Sequence, residues 1–165
     1  MTNQVSPQAA QQLLRAIEKD YALAQTLKTV LQEEKSILEQ RQYAAHSALL
    51  SRKTQLLMEL DQADHARRQA MADMGLQLDK QGFDLFVQQV PPTWQARFQS
   101  GWEKLADTMN ACARLNRVNG KILAHAQNSM EHLMSIIKGT ANQVSVYQAN
   151  GRRNLNAAHR MLATA

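Results

Sequence analysis

Cys112 is the chain's one cysteine and the first residue to test for chemistry. It falls at a helical seam position between Met109 and Asn116, where a buried free thiol behaves as a small hydrophobe. A nucleophilic thiol needs an electropositive, accessible setting, and none is legible around it. A single cysteine also rules out an intrachain disulfide and argues against a cysteine-based zinc site. His125 and His132 stand seven apart and share a helix face, but that face also holds Lys104 and lies opposite the seam, so they read as solvated. No Glu-x-x-His pair is present to build a carboxylate di-iron site, and His46, His65 and His159 lack ligand-like spacing. No glycine loop is suited to a phosphate. The chain reads as a non-enzyme, with no metal and no cofactor expected.

What is left is polar chemistry on apolar seams. Phe98, Trp102, Leu105, Met109, Cys112, Asn116, Asn119, Leu123, Ala126, Met130, Leu133 and Ile137 alternate steps of four and three, so they predict one stripe of a long helix. Two neighbouring positions in the middle are asparagine, and an unpaired polar group there is costly. Beside the stripe run Ala106, Ala113 and Gly120, small residues expected to let a neighbouring helix approach closely. Glu34, Lys53, Asn116 and Asn119, with Gly120 alongside, are predicted to form one polar layer that fixes register, a binding site being the alternative reading. On that basis Asn119→Leu is expected either to leave the fold stable with a changed oligomeric state or to stabilise it.

The elements that must position these residues are helical. Apolar content is 44% with only 5% aromatics, and neither proline nor glycine occurs between Gln8 and Met74. Ser6-Pro7 is a helix start, and one stripe runs Leu13, Ile17, Asp20, Ala24, Leu27, Leu31, Glu34, Leu38. A second runs Leu49, Lys53, Leu56, Leu60, Ala63, Arg67, Ala70, Met74, with Gly75 as its stop. If partner numbers sum to 87, the stripes close as an antiparallel hairpin that sets Glu34 beside Lys53 and Asp20 beside Arg67. The stretch from Arg41 to His46 has no glycine, proline or asparagine to make the turn, so one continuous helix of about 100 Å, obliged to dimerise, is the competing picture.

Asp79 to Val90 predicts a short helix ended by Pro91-Pro92, and a long helix follows to about Lys138. The expected architecture is all-α: an elongated antiparallel bundle over 1–139, with helices near 7–40, 45–74, 79–90 and 93–138. A basic, partly flexible C-terminal tail over 140–165 completes it. The last helix, roughly 70 Å against roughly 50 Å for the first, is expected to overhang. Met130, Leu133, Met134, Ile136 and Ile137 then await a partner, or the tail folds back over them. No acidic residue follows Glu131, while Lys138, Arg152, Arg153 and Arg160 remain. Four charges are too few to favour nucleic acid. No apolar run approaches the roughly 20 residues of a membrane span, and Met1-Thr2-Asn3-Gln4 shows no signal core, so no stable membrane insertion and a cytoplasmic location are expected. A monomer is expected, with a dimer as the alternative.

The segment Asn116-Arg117-Val118-Asn119-Gly120-Lys121-Ile122 resembles the N-x-x-N-G segment of the FlgN family of flagellar type III export chaperones. Leu31-Gln32-Glu33-Glu34-Lys35, Lys53 with Leu56-Leu57, Arg67 before Gly75, Trp102-x-x-Leu105 and Tyr147-Gln148-Ala149-Asn150-Gly151-Arg152 follow in order. The resemblance implies a cytoplasmic chaperone for the hook–filament junction proteins FlgK and FlgL, holding their helical termini unassembled and delivering them to the export gate component FlhA. It further implies client contacts at Met130, Leu133, Met134, Ile136, Ile137 and Leu155, and gate docking at Tyr147. A dimeric coiled-coil adaptor without chaperone activity is the competing function.

Overall fold

The computed structural model describes residues 6–137, which form four α-helices and, among the described residues, no strand. They are α1 (Pro7–Glu39), α2 (Tyr43–Asp73), α3 (Lys80–Gln89) and α4 (Pro92–Ile137). The chain divides into two units, residues 1–123 and 124–165. The first holds α1, α2, α3 and α4 as far as Leu123, and the described part of the second is the helical stretch 124–137.

The long first span is broken, not continuous. After Glu39 the backbone turns at Arg41, whose φ of +58° is left-handed. The Gln42 amide donates to the Ile37 carbonyl (3.0 Å) and the Arg41 amide to that of Leu38 (3.1 Å). This is the Schellman pattern, in which a left-handed residue returns two amides to the last free carbonyls. The same bonds end α2: Leu76 donates to Met71 (3.0 Å) and Gly75, at φ +71°, to Ala72 (2.8 Å). Glycine fills the second turn and arginine the first, so the α1–α2 turn has the right bonds with the wrong residue for easy reading. Left-handed geometry costs a residue with a Cβ about 1 kcal/mol or more. Arg41→Gly is therefore expected to raise stability by about 1 kcal/mol, less glycine's extra unfolded-state entropy. Urea denaturation measures it, and a loss of stability would show that the arginine side chain holds the turn.

Across the hairpin, Arg67 Nε donates to Asp20 Oδ2 (2.6 Å) and Lys53 Nζ to Glu34 Oε2 (2.9 Å), both in the register that sums to 87. Along α1 every position of the expected stripe is buried. Along α2 the stripe drifts at its end, burying Met71 and leaving Met74 half-buried.

Gly82 opens α3 where the chain doubles back. Asp79 caps the helix by accepting the Gly82 amide (2.7 Å), and a Cβ at Gly82 would lie 2.3 Å from the Gln77 carbonyl oxygen. Gly82→Ala is expected to cost about 2 kcal/mol, within the range for forcing a methyl group into filled space. A melting temperature equal to the parent's would show that the Gln77 turn yields freely.

Phe83 and Phe86 of α3 meet α4 in an aromatic cluster. Phe83 stacks on Trp102 with centroids 4.4 Å apart, and Phe86 meets Phe98 edge-on at 4.9 Å. Each fully buried ring contributes roughly 2 to 3 kcal/mol of transfer free energy. Leu13 and Ile17 of α1 and Met71 of α2 close this core. A second cluster, around Leu27, Leu31, Leu56, Leu60 and Cys112, continues it toward the α1–α2 turn.

Two expectations for α4 are corrected. Phe98, Leu105, Cys112 and Asn119 are buried as read, but Thr108 is buried and Leu115 half-buried where Met109 and Asn116 stay exposed. The row one residue earlier is the more enclosed flank. Nor does Gly120 mark a close approach, since a Cβ there meets nothing within 4 Å, and Ala106 and Ala113 are exposed. The tight spot is Gly101, whose Cβ would lie 3.3 Å from Ile17 Cγ2.

Candidate functional site

Glu34 is 3% exposed and is the hub of a buried polar layer. Lys53 Nζ donates to both its carboxylate oxygens (3.0 and 2.9 Å) and to Asn116 Oδ1 (3.0 Å). Asn119 Nδ2 donates to Glu34 Oε2 (2.7 Å) and to the Leu31 carbonyl (2.9 Å). His46 Nε2 lies 3.3 Å from Glu34 Oε1. The layer thus joins α1, α2 and α4. Gly120, expected beside it, takes no part in these bonds.

Burial alone drives a carboxyl's pKa upward, but at Glu34 the hydrogen bonds from Lys53, Asn119 and His46, with the Lys53 charge, more than offset it, and the pKa is lowered. The Glu34 charge is fully answered, while within the layer Asn119 Oδ1 is buried without a partner. His46 is the member that spacing did not reveal. It extends the α2 stripe three residues before Leu49, and that seam position was the available signal.

A second charged layer also leaves one buried oxygen without a partner. Arg67 pairs with Asp20 and Asp64 and lies 5.2 Å from the Trp102 ring centroid. Asp20 is 2% exposed, and its Oδ1 has no hydrogen-bond partner. Burial pushes the Asp20 pKa up, and Asp64 adds repulsion, so the Arg67 bond does not bring it back to normal. A raised folded-state value means the folded chain holds this proton more tightly than the unfolded chain. Stability from Asp20 therefore falls as pH rises from the usual carboxylate range through the raised value. Asp20→Asn is expected to flatten that slope and, at neutral pH, to stay within about 1 kcal/mol of the parent. Denaturation at a series of pH values measures both, and an unchanged slope would contradict the assignment.

Cys112 is buried, its thiol donating to the Ala24 carbonyl (3.5 Å), and burial raises its pKa. That leaves it a neutral thiol without access, unsuited to attack. Among the described residues, no three His, Cys, Asp or Glu groups converge on a metal position. No described helix is long and apolar enough to cross a membrane.

The stretch 124–137 carries the opposite chemistry. Ile137 is 77% exposed, and Met130, Leu133, Met134 and Ile136 are exposed as well. Met130, Leu133, Met134 and Ile137 follow the i, i+3, i+4, i+7 spacing of a single helix face. Tyr147 and Leu155 lie outside the described residues.

The described residues are helical, with polar layers joining the helices and an exposed apolar face at 130–137, an arrangement compatible with the class of helical chaperones and adaptors. The family model described as FlgN protein matches residues 1–154, and the chain belongs to the FlgN family. This is a family of flagellar chaperones and is not known for enzymatic activity, so the chain's role is in general terms that of a flagellar export chaperone. Among solved structures it is similar to a flagella synthesis protein FlgN from Pseudomonas aeruginosa, at 25% identity and a TM-score of 0.62, covering 70% of this chain and 89% of that one. No curated protein matches it in sequence.

Proposed function

We propose that the chain is a cytoplasmic chaperone that binds the helical termini of the hook–filament junction proteins FlgK and FlgL. It keeps them from assembling early and delivers them to FlhA at the export gate. The observation that carries this reading is the exposed face of Met130, Leu133, Met134 and Ile137, with Ile136 beside it. A flexible thioether suits a surface that must adapt to an apolar helix, and helix-in-groove docking uses this spacing. Leu155 extends the client contact in this proposal, and Tyr147 makes the gate contact. The acid-free sequence after Glu131 suits an acidic partner surface.

Calorimetric titration of the full chain with purified FlgK and FlgL tests the proposal. Saturable binding of at least one is expected, lost when its terminal helices are removed. Tyr147→Ala should keep client affinity and weaken capture by FlhA. Binding of neither client, or binding indifferent to their termini, would overturn the reading.

A further inference from the structure

Between α2 and α4, in the first unit, lies a cleft of about 280 Å³ floored by Leu57, Leu60, Leu105 and Met109. Its polar wall is acidic: Asp20, Asp61 and Asp64 face a single Arg67. Asp64 is occupied, pairing with Arg67 and with Arg68. Asp61 makes no ion pair or hydrogen bond, and Asp20 Oδ1, though buried, has no partner. The cleft therefore offers one exposed, unanswered carboxylate, Asp61, beside an apolar floor, while Asp20 Oδ1 is closed to solvent. It lacks one cation with an aliphatic stem. A stripe on α2 leads into it, because Tyr43, Leu50 and Leu57 recur every seven residues and each remains more than 40% exposed. Met109, 39% exposed, stands on α4 at the cleft's other side. A seven-residue apolar stripe is matched by the face of another helix.

We propose that this cleft docks an amphipathic helix of a protein partner, which lays apolar residues along Leu50, Leu57 and Met109 and places one lysine or arginine against the exposed carboxylate of Asp61. The site shares no residue with the 130–137 face, and the unpaired Asp61 selects a basic side chain over a neutral one. Asp61 is exposed and unpaired, so a basic side chain reaches it without breaking an existing ion pair.

The test uses the full chain with methyl-labelled Leu and Met. The probe is a leucine-faced helical peptide of about 14 residues with one central lysine, compared with the same peptide carrying norleucine there. The lysine peptide is expected to shift the Leu57, Leu60 and Met109 methyls. The norleucine peptide, and the lysine peptide on the D61N chain, should each bind about five-fold more weakly, the scale of one partly exposed ion pair. Asp61 is exposed and unpaired, so D61N should melt as the parent does. Leu133→Asp, which strikes the other face, should leave this binding unchanged, so the two proposals fail separately. Equal binding of both peptides, or shifts confined to other methyls, would overturn the inference. So would a sedimenting dimer that Leu57→Asp dissociates, since a second copy would then fill the cleft.

Discussion

Lys53→Met is expected to cost about 3 kcal/mol at neutral pH, the lower end for stranding a buried charge by removing its partner. Glu34 would keep Asn119 and His46 but lose the cation that bonds both its oxygens. Lys53 keeps some exposure, with its side chain 16% accessible against 4% for Glu34, so water can enter and limit the loss. The pH dependence follows from the sign of the Glu34 shift. Because its folded pKa is lowered, its contribution is complete above the ordinary carboxylate value and drains away as pH falls through the lowered one. The deficit of Lys53→Met should therefore shrink in acid, where Glu34 is protonated in either protein. Adding Glu34→Leu should recover most of the loss, because two apolar groups replace a pair instead of orphaning half of it. Urea denaturation of the parent, both single variants and the double variant measures the coupling. A Lys53→Met protein as stable as its parent would show that His46 and Asn119 suffice.

The same geometry reverses the sequence-based expectation for Asn119→Leu. Read as one member of a register-fixing polar layer, Asn119 was expected to be replaceable without loss of stability. In place, its amide is shared between Glu34 and the Leu31 carbonyl, so leucine would remove a donor from a buried carboxylate. A loss, not a gain, now follows.

Leu133→Asp combined with Ile137→Asp is expected to weaken client binding at least 30-fold while leaving the melting temperature within a few degrees. Both residues are already exposed, so a carboxylate there faces water in the free chain and adds no burial cost. In a complex it would be buried without a partner. Removing central apolar anchors of an interface typically costs about 2 kcal/mol or more each, and an unpaired buried charge adds to that. Fluorescence anisotropy with labelled FlgK terminal helices measures the affinity. Unchanged affinity would remove this face from the client site.

The hairpin register was legible because charge and apolarity agree. Glu34 and Asp20 occupy seam positions of α1 that lie opposite Lys53 and Arg67 of α2, and few alignments satisfy both pairs at once. The turn was not legible. The two bonds that close it are main-chain, and Arg41 takes a left-handed conformation that sequence habit assigns to glycine. In α4 the core row was readable, but the more enclosed flank was not, since rows one residue apart differ by only 100° around a helix. Thr108 is short enough to tuck inside beside Gln25, and Met109 instead edges the α2–α4 cleft. His46 was missed because a histidine was weighed as a ligand, whereas here it answers a carboxylate. The apolar face at 130–137 was read from its spacing and from the greater length of the last helix, and its measured exposure is what the structure adds.

Hydrogen–deuterium exchange across the whole chain, free and saturated with FlgK, is the most direct test of a helix end kept open for a client. Amides from Met130 to Ile137 should exchange readily in the free protein and slow markedly on binding, while those around Glu34 and Leu31 stay protected in both states. Strong protection of that end in the free chain, or client-induced slowing confined to other helices, would contradict it.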